Sequence, residues 1–188
     1  MHLFLASESP RRQVLLKQLT EDFTVEAAGV AELDSSSAAP LEVAVHNAAL
    51  KARAVSLRHP EDWVLGADTV VILDGISYGK PKDLQEAAEV LKKFSGRTHL
   101  VVTAISLQRS ADDCQHDLTA TTEVVFRHLT NEVIDEYLAT VPVLDKAGAY
   151  GIQERGELLV ESISGELENV IGLPVAALKP LLESLKII

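Results

Sequence analysis

The stretch WVLGADTVVIL, Trp63 to Leu73, sets the strongest limit on what this chain can fold into. It is mostly apolar and β-branched, so it reads as a buried strand, or as a strand pair interrupted near Gly66. Its neighbours read as helices and strands in turn. Residues 2–6 form a second buried strand. Ser9 then serves as N-cap and Pro10 as the first residue of a helix whose apolar positions are Val14, Leu15, Leu16 and Leu19. Residues 22–28 alternate like a strand, and Pro40 opens a second helix running to about Leu57. Asp83 caps a third helix through Phe94, ended by SGR. Residues 97–109 and 118–128 are β-rich runs around a polar loop, Ser110 to Asp117, and read as a hairpin. A helix from Thr130 to Leu138, a strand at ELLVESI and a closing helix over 173–186, after Pro174, complete the chain. Alternation that gives way to hairpins implies an α/β architecture with a mixed sheet.

The chain has 188 residues, 47% of them apolar, enough for one domain or two small lobes sharing a core. Aromatic residues make up only 4%, so that core is aliphatic. The single cysteine, Cys114, allows no internal disulfide and supplies no metal site by itself; it reads as a bystander in a reducing, cytoplasmic protein. The opening MHLFLASESPRR is too short and too quickly charged for a signal peptide. No apolar run reaches membrane-spanning length, so no membrane partner is expected. A net charge of −11 repels polyanions and argues against a nucleic acid polymer as partner. It also makes local basic clusters informative. The patches ELDSSSAAP and QRSADDCQHD read as loops.

Several polar side chains fall where apolar ones are expected. Arg11 lies one turn before Leu15 and Arg12 one turn before Leu16, at the N-terminal end of the core-facing stripe of the first helix. Helix N-termini carry unpaired N–H groups and partial positive charge, so two arginines there run against helix stability. Either carboxylates answer them, or that corner holds an anion such as phosphate. On the second helix Val43, Asn47, Lys51 and Val55 share one line, so Lys51 interrupts an apolar stripe, as a snorkelling or a functional lysine. Asp68 sits inside the apolar stretch, where a carboxylate is costly without a cation or strong donors. It reads as a metal-binding or water-activating group, with a structural ion pair as the alternative. Lys80, in GKP, stands in a turn where a lysine is usually just solvated. Asp145 and Lys146 precede the small residues of LDKAGAYGIQ, which allow close backbone approach to a ligand.

No phosphate-binding GxxxxGK[ST] loop, no GxGxxG, no HExxH and no Gly-x-Ser-x-Gly elbow is present. No base for covalent serine catalysis is identifiable beside Ser7 or Ser9. His2, His46, His59, His99, His116 and His128 read as surface or structural.

LASESPRRQVLL, GADTVVILDG…YGKPKD, SGRTHLVVTAISL and LDKAGAYGIQ…NVIGLP together resemble, in order and spacing, the Maf family of nucleotide pyrophosphatases, also named septum-formation inhibitors. The match runs from Leu3 to Pro174, with NAALKA standing where many members carry a pattern like LAxxKA. The resemblance implies one Maf-like domain over residues 1–188: an elongated mixed α/β fold like the inosine-triphosphate pyrophosphatases, with two lobes around a cleft. It implies hydrolysis of a nucleoside triphosphate to the monophosphate and pyrophosphate with a divalent cation, Mg²⁺ or Mn²⁺, and it allows a homodimer. By motif, Asp68 corresponds to the catalytic carboxylate and Glu32 to a second acidic group near the metal. Ser7, Arg11, Arg12, Lys51, Lys80 and Lys146 correspond to the phosphate-handling set. Arg12, Thr69 and Gln153 match positions associated with base selection, and ADT with DKAGAYGIQ is similar to the subgroup acting on dTTP and UTP. Two other readings stay open: a nucleotide-binding regulator of cell division without turnover, and a phosphohydrolase releasing orthophosphate.

Overall fold

The computed structural model describes residues 2–34 and 38–188; the serines at 35–37, within the ELDSSSAAP patch, lie outside the described residues. The chain runs β1 (Leu3–Leu5), α1 (Pro10–Leu16), β2 (Thr24–Val25), α2 (Pro40–Ser56), β3 (Trp63–Leu73), β4 (Ile76–Ser77), α3 (Leu84–Phe94), β5 (Thr98–Arg109), β6 (Cys114–Phe126), α4 (Asn131–Thr140), β7 (Val160–Ser164), α5 (Leu167–Ile171) and α6 (Val175–Ser184). The strands form one seven-stranded sheet in the order β2-β1-β3-β5-β6-β7, with β4 paired to β3. β1 is parallel to β2 and β3, and the β3-β5-β6-β7 pairings are antiparallel. The mixed α/β architecture expected from the alternation is the one found.

The core is divided along the long strands. At one end Leu3, Leu5, Trp63, Leu65, Ile105 and Leu107 pack with Leu15 and Leu16 of α1 and with Leu178 and Leu182 of α6. At the other end Val71, Leu73, Val101, Val124 and Phe126 pack with side chains of α3 and α4. α2 lies elsewhere: its Ala44, Ala48, Ala52 and Val55 are fully buried against Val64, Val70, Val102 and Ala104. Small residues on that face bring the helix close to the sheet.

Of the two readings of residues 63–73, the single buried strand is the one found. β3 is continuous, and Gly66 is where α2 presses on it. A Cβ there would stand 2.2 Å from the Ala48 carbonyl oxygen and 2.7 Å from the Ala52 nitrogen. A glycine inside a strand commonly marks such a backbone approach.

Other expectations are corrected in detail. Val14 is 62% exposed, because α1 is rolled to turn Leu15 and Leu16 inward, and the helix stops at Leu16, before Leu19. The strand expected over 22–28 shrinks to two exposed residues. Only the first half of the expected loop over 110–117 is turn: β6 starts at Cys114, and its alternating exposed and half-buried residues put every second polar side chain in water. Residues 156–158 form a single 3-10 turn before β7, and α5 precedes the closing helix.

His99, in β5, is structural and deeply buried. Its Nε2 is 2.8 Å from the Tyr150 hydroxyl, amid the rings of Phe94 and Phe126. Burial pushes its pKa down from the ordinary 6.5 to about 4. Between those values the unfolded chain binds a proton that the folded one refuses, so stability should fall as pH drops through this window, by about 3 kcal/mol in all. Urea titrations at several pH values should show the slope, and His99→Gln should flatten it. Gly66→Ala should cost about 3 kcal/mol in the same measurement, because the atoms in the way are helix backbone.

Candidate active site

All the residues singled out from the motifs line one cleft of about 560 Å³. They arrive from six segments. Ser7, Arg11 and Arg12 come from the end of β1 and the start of α1, and Glu32 from the irregular stretch after β2. Lys51 comes from α2, Asp68 and Thr69 from β3, Lys80 from the loop after β4, and Lys146 and Gln153 from the segment between α4 and β7.

The centre of the cleft is a three-membered ion cluster. Lys51, 9% exposed, reaches from α2 with its Nζ 2.8 Å from Asp68 Oδ1 and 2.6 Å from Glu32 Oε2. Asp68 shares the β3 face that carries Gly66, since alternate strand residues point the same way. The close approach at Gly66 is what puts Lys51 within reach. Glu32 is brought in by Asn47, one turn before Lys51. The Asn47 side-chain oxygen accepts from Leu33 N at 2.8 Å, and its amide donates to the Leu33 carbonyl at 3.2 Å. The polar residue in the NAALKA stretch therefore ties down the chain beside Glu32, a role that its place on the stripe did not reveal.

The two arginines differ. Arg11 donates to Asp145 Oδ2 at 3.1 Å, so a carboxylate does answer it. Arg12 meets only neutral acceptors: Nε donates to Gly172 O at 2.9 Å, one Nη to Ser7 Oγ at 3.3 Å and the other to Thr69 Oγ1 at 3.1 Å. Burial holds its guanidinium below the ordinary value, against the opposing pull of Asp68 and Glu32. Ser9 caps α1 as expected, accepting from Arg12 N, but the helix has only seven residues, so side-chain charge outweighs the helix dipole here.

Lys146 is 4% exposed and donates to the Pro142 carbonyl; its Nζ lies 2.9 Å from Asp145 and 3.2 Å from Glu154. Burial raises the Asp145 carboxyl, but hydrogen bonds from Lys146 and Arg11 outweigh it and leave the pKa below the ordinary value. Gly151 makes room for the lysine, since a Cβ there would stand 2.8 Å from Lys146 Cε. Tyr137 accepts from Gly151 N at 2.9 Å and steadies the same segment. Gly148 N lies 2.9 Å from Tyr78 O and 3.1 Å from Gly79 O, which joins the Lys146 segment to the Lys80 turn. Lys80 and Gln153 are both exposed at the rim.

The basic side chains of the cleft are Arg11, Arg12, Lys51, Lys80 and Lys146, and its acidic ones are Glu8, Glu32, Asp68, Asp145 and Glu154, equal in number. Sequence reading picked out the cations and missed Glu154, Asn47 and the double pairing of Asp145. Those residues stand in polar segments where an acid or amide raises no question. Among the described residues, no group of three or more His, Cys, Asp or Glu is arranged to hold a metal ion.

Lys51→Met should cost about 3 kcal/mol, because it leaves the half-buried Asp68 without its cation. Adding Asp68→Asn to that variant should recover a large part of the loss in urea unfolding.

Comparison with known proteins agrees with this geometry. A family model described as Maf-like protein matches residues 2–185. The dTTP/UTP pyrophosphatase of Akkermansia muciniphila is 46% identical over 173 residues, covering 92% of this chain and 90% of its own. The protein of the same name from Latilactobacillus sakei is 41% identical over 180 residues, covering 96% and 98%. Among solved structures, the Ham1 protein of Staphylococcus aureus superposes with a TM-score of 0.58 over 98% of this chain and 99% of that one. At 18% identity that likeness concerns the fold alone. With four motifs meeting in one cleft and a family match along almost the whole length, the chain belongs to the Maf-like family.

Proposed function

We propose that the chain is a nucleoside triphosphate pyrophosphatase that converts dTTP and UTP to the monophosphate and pyrophosphate, working as one domain over its length. The observation that carries the reading is the Glu32–Lys51–Asp68 cluster at the centre of a cleft whose remaining cations arrive from separate segments. Relatives named dTTP/UTP pyrophosphatase, at 46% and 41% identity, support the substrate class.

In this reading Asp68 orients a water and takes its proton as the water oxygen attacks the α-phosphorus. The bond from that phosphorus to the α–β bridging oxygen breaks, and pyrophosphate leaves with the electron pair. Lys51, Lys80, Lys146, Arg11 and Ser7 hold phosphate oxygens, and their charge stabilises what builds up on the leaving group. Arg12, Thr69 and Gln153 meet the base, Arg12 reaching phosphate as well.

A triphosphate carries about four negative charges, and a cleft balanced in acids and bases cannot neutralise them alone. A divalent cation bound together with the nucleotide would resolve this. Mg²⁺ typically takes one or two carboxylates plus substrate phosphates, which suits Glu32 and Asp68. When bound, Mg²⁺ or Mn²⁺ would supply Lewis-acid polarisation of the phosphates. Lys51 pairs with both carboxylates, and its ammonium would be free to turn to phosphate if a cation took its place there.

No helix among the described residues is long and apolar enough to cross a membrane. With a single cysteine, a reducing cytoplasmic setting suits the protein, and self-association as a homodimer fits the same reading.

Incubation with UTP or dTTP and Mg²⁺ should release pyrophosphate and monophosphate in equal amounts. Orthophosphate with a diphosphate, or binding without turnover, would overturn the assignment. Asp68→Asn should lower kcat by about a thousandfold. Its circular dichroism should stay unchanged, since Lys51 keeps Glu32 as partner.

A further inference from the structure

Behind Arg12 and Thr69 lies a hydrogen-bond chain with a fixed direction. Thr69 on β3 and Thr103 on β5 face each other in register, with their hydroxyl oxygens 2.9 Å apart. Thr103 is fully buried, and its hydroxyl also lies 3.2 Å from the main-chain carbonyl of Asn169, a residue itself fully buried. A carbonyl only accepts, so Thr103 spends its one proton there. Thr69 must then donate its own proton to Thr103. On the other side, Arg12 donates to the same Thr69 oxygen at 3.1 Å. Reversing the chain would strip the buried Asn169 carbonyl of the donor it has from Thr103, at the cost of an unsatisfied acceptor.

The Asn169 end of the chain is itself anchored. The Asn169 amide donates to the Val101 carbonyl at 3.0 Å and to Thr122 Oγ1 at 3.1 Å, and Thr122 passes its proton to the Glu166 carbonyl at 2.9 Å. From Arg12 through Thr69 and Thr103 each proton is passed on from the cleft to the Asn169 main-chain oxygen.

What reaches the cleft from Thr69 is therefore a lone pair and no proton. Beside it stands Arg12, with five N–H groups, of which Gly172, Ser7 and Thr69 occupy one each. We infer that Thr103 is a positioning residue that makes Thr69 an acceptor, so that the Arg12–Thr69 pair reads a ring N–H next to a carbonyl. Uracil and thymine present that edge, with N3–H between two carbonyls. Cytosine presents a bare N3 and an amino group, placing acceptor against acceptor at Thr69 and donor against donor at Arg12. A site of fixed polarity rejects such an analogue strongly, because both sides lose their partners.

The inference rests on the reading of this cleft as a nucleoside triphosphate site, and its test separates the two. The kcat/KM for UTP and for CTP, read as pyrophosphate release with Mg²⁺, is measured for the unaltered protein, Thr103→Val and Thr103→Ser. The unaltered protein should favour UTP. Thr103→Val keeps the volume and frees the Thr69 proton to turn into the cleft, so the UTP/CTP ratio should fall by roughly tenfold or more. Thr103→Ser, which keeps the hydroxyl, should restore it. Should the valine variant fail to fold, Thr103→Ala gives the same reading. An unchanged ratio in the variants lacking the hydroxyl overturns the inference, as does equal use of UTP and CTP by the unaltered protein, and both leave the pyrophosphatase assignment intact. Absence of pyrophosphate from every nucleotide overturns the assignment itself.

Discussion

The contact between α2 and β3 governs the rest of the molecule. Gly66, Ala48 and Ala52 let a helix backbone lie almost directly on a strand. That approach carries Lys51 down to Asp68, and Asn47, one turn earlier on the same helix, takes hold of the chain beside Glu32. A helix standing farther from the sheet would leave Asp68 without a cation in a largely apolar strand, which is costly. Packing and charge placement are thus one constraint, and the ion cluster exists because small residues fill one face of α2.

The same economy explains the charge of the cleft. Five of the 17 lysines and arginines line the cleft, and three of the five are held by carboxylates: Lys51 by two, Lys146 by two, and Arg11 by Asp145. These pairs keep long side chains in defined positions before any ligand arrives, which lowers the entropy lost on binding. Arg12 is held differently. Held by a carbonyl and two hydroxyls, it is oriented without being neutralised, and it keeps two N–H groups beyond those three bonds. Orientation by neutral partners suits a side chain that reads a base edge, whereas pairing with acids suits side chains that exchange one anion for another.

Much of this was legible in the residues themselves. Ser9 and Pro10 announced α1, Asp83 and Thr130 capped α3 and α4, and the β-branched run from Trp63 to Leu73 announced the central strand. The departures have physical reasons. Gly66 left a continuous strand and an interrupted pair both open, because a missing Cβ marks a break as readily as a close approach, and only the helix lying on it decides. Residues 114–117 were read as loop because they are polar, but that end of the strand has one face in water, and alternation there is sparse in apolar side chains. Val14 was placed in the core by a period that cannot tell which way a two-turn helix is rolled.

The sequence by itself determined the element types, the mixed α/β class and the out-of-place polar residues Arg11, Arg12, Lys51 and Asp68. Local signals suffice for these, since caps, periodicity and the cost of a charge among apolar neighbours all act within a few residues. Only the tertiary structure decided the partners. Arg11 meets Asp145, 134 positions away, and Thr103 is linked to Asn169, 66 positions away. Nothing in either segment announces the other, because hydrogen-bond direction and ion pairing depend on distances that exist only after the sheet has assembled.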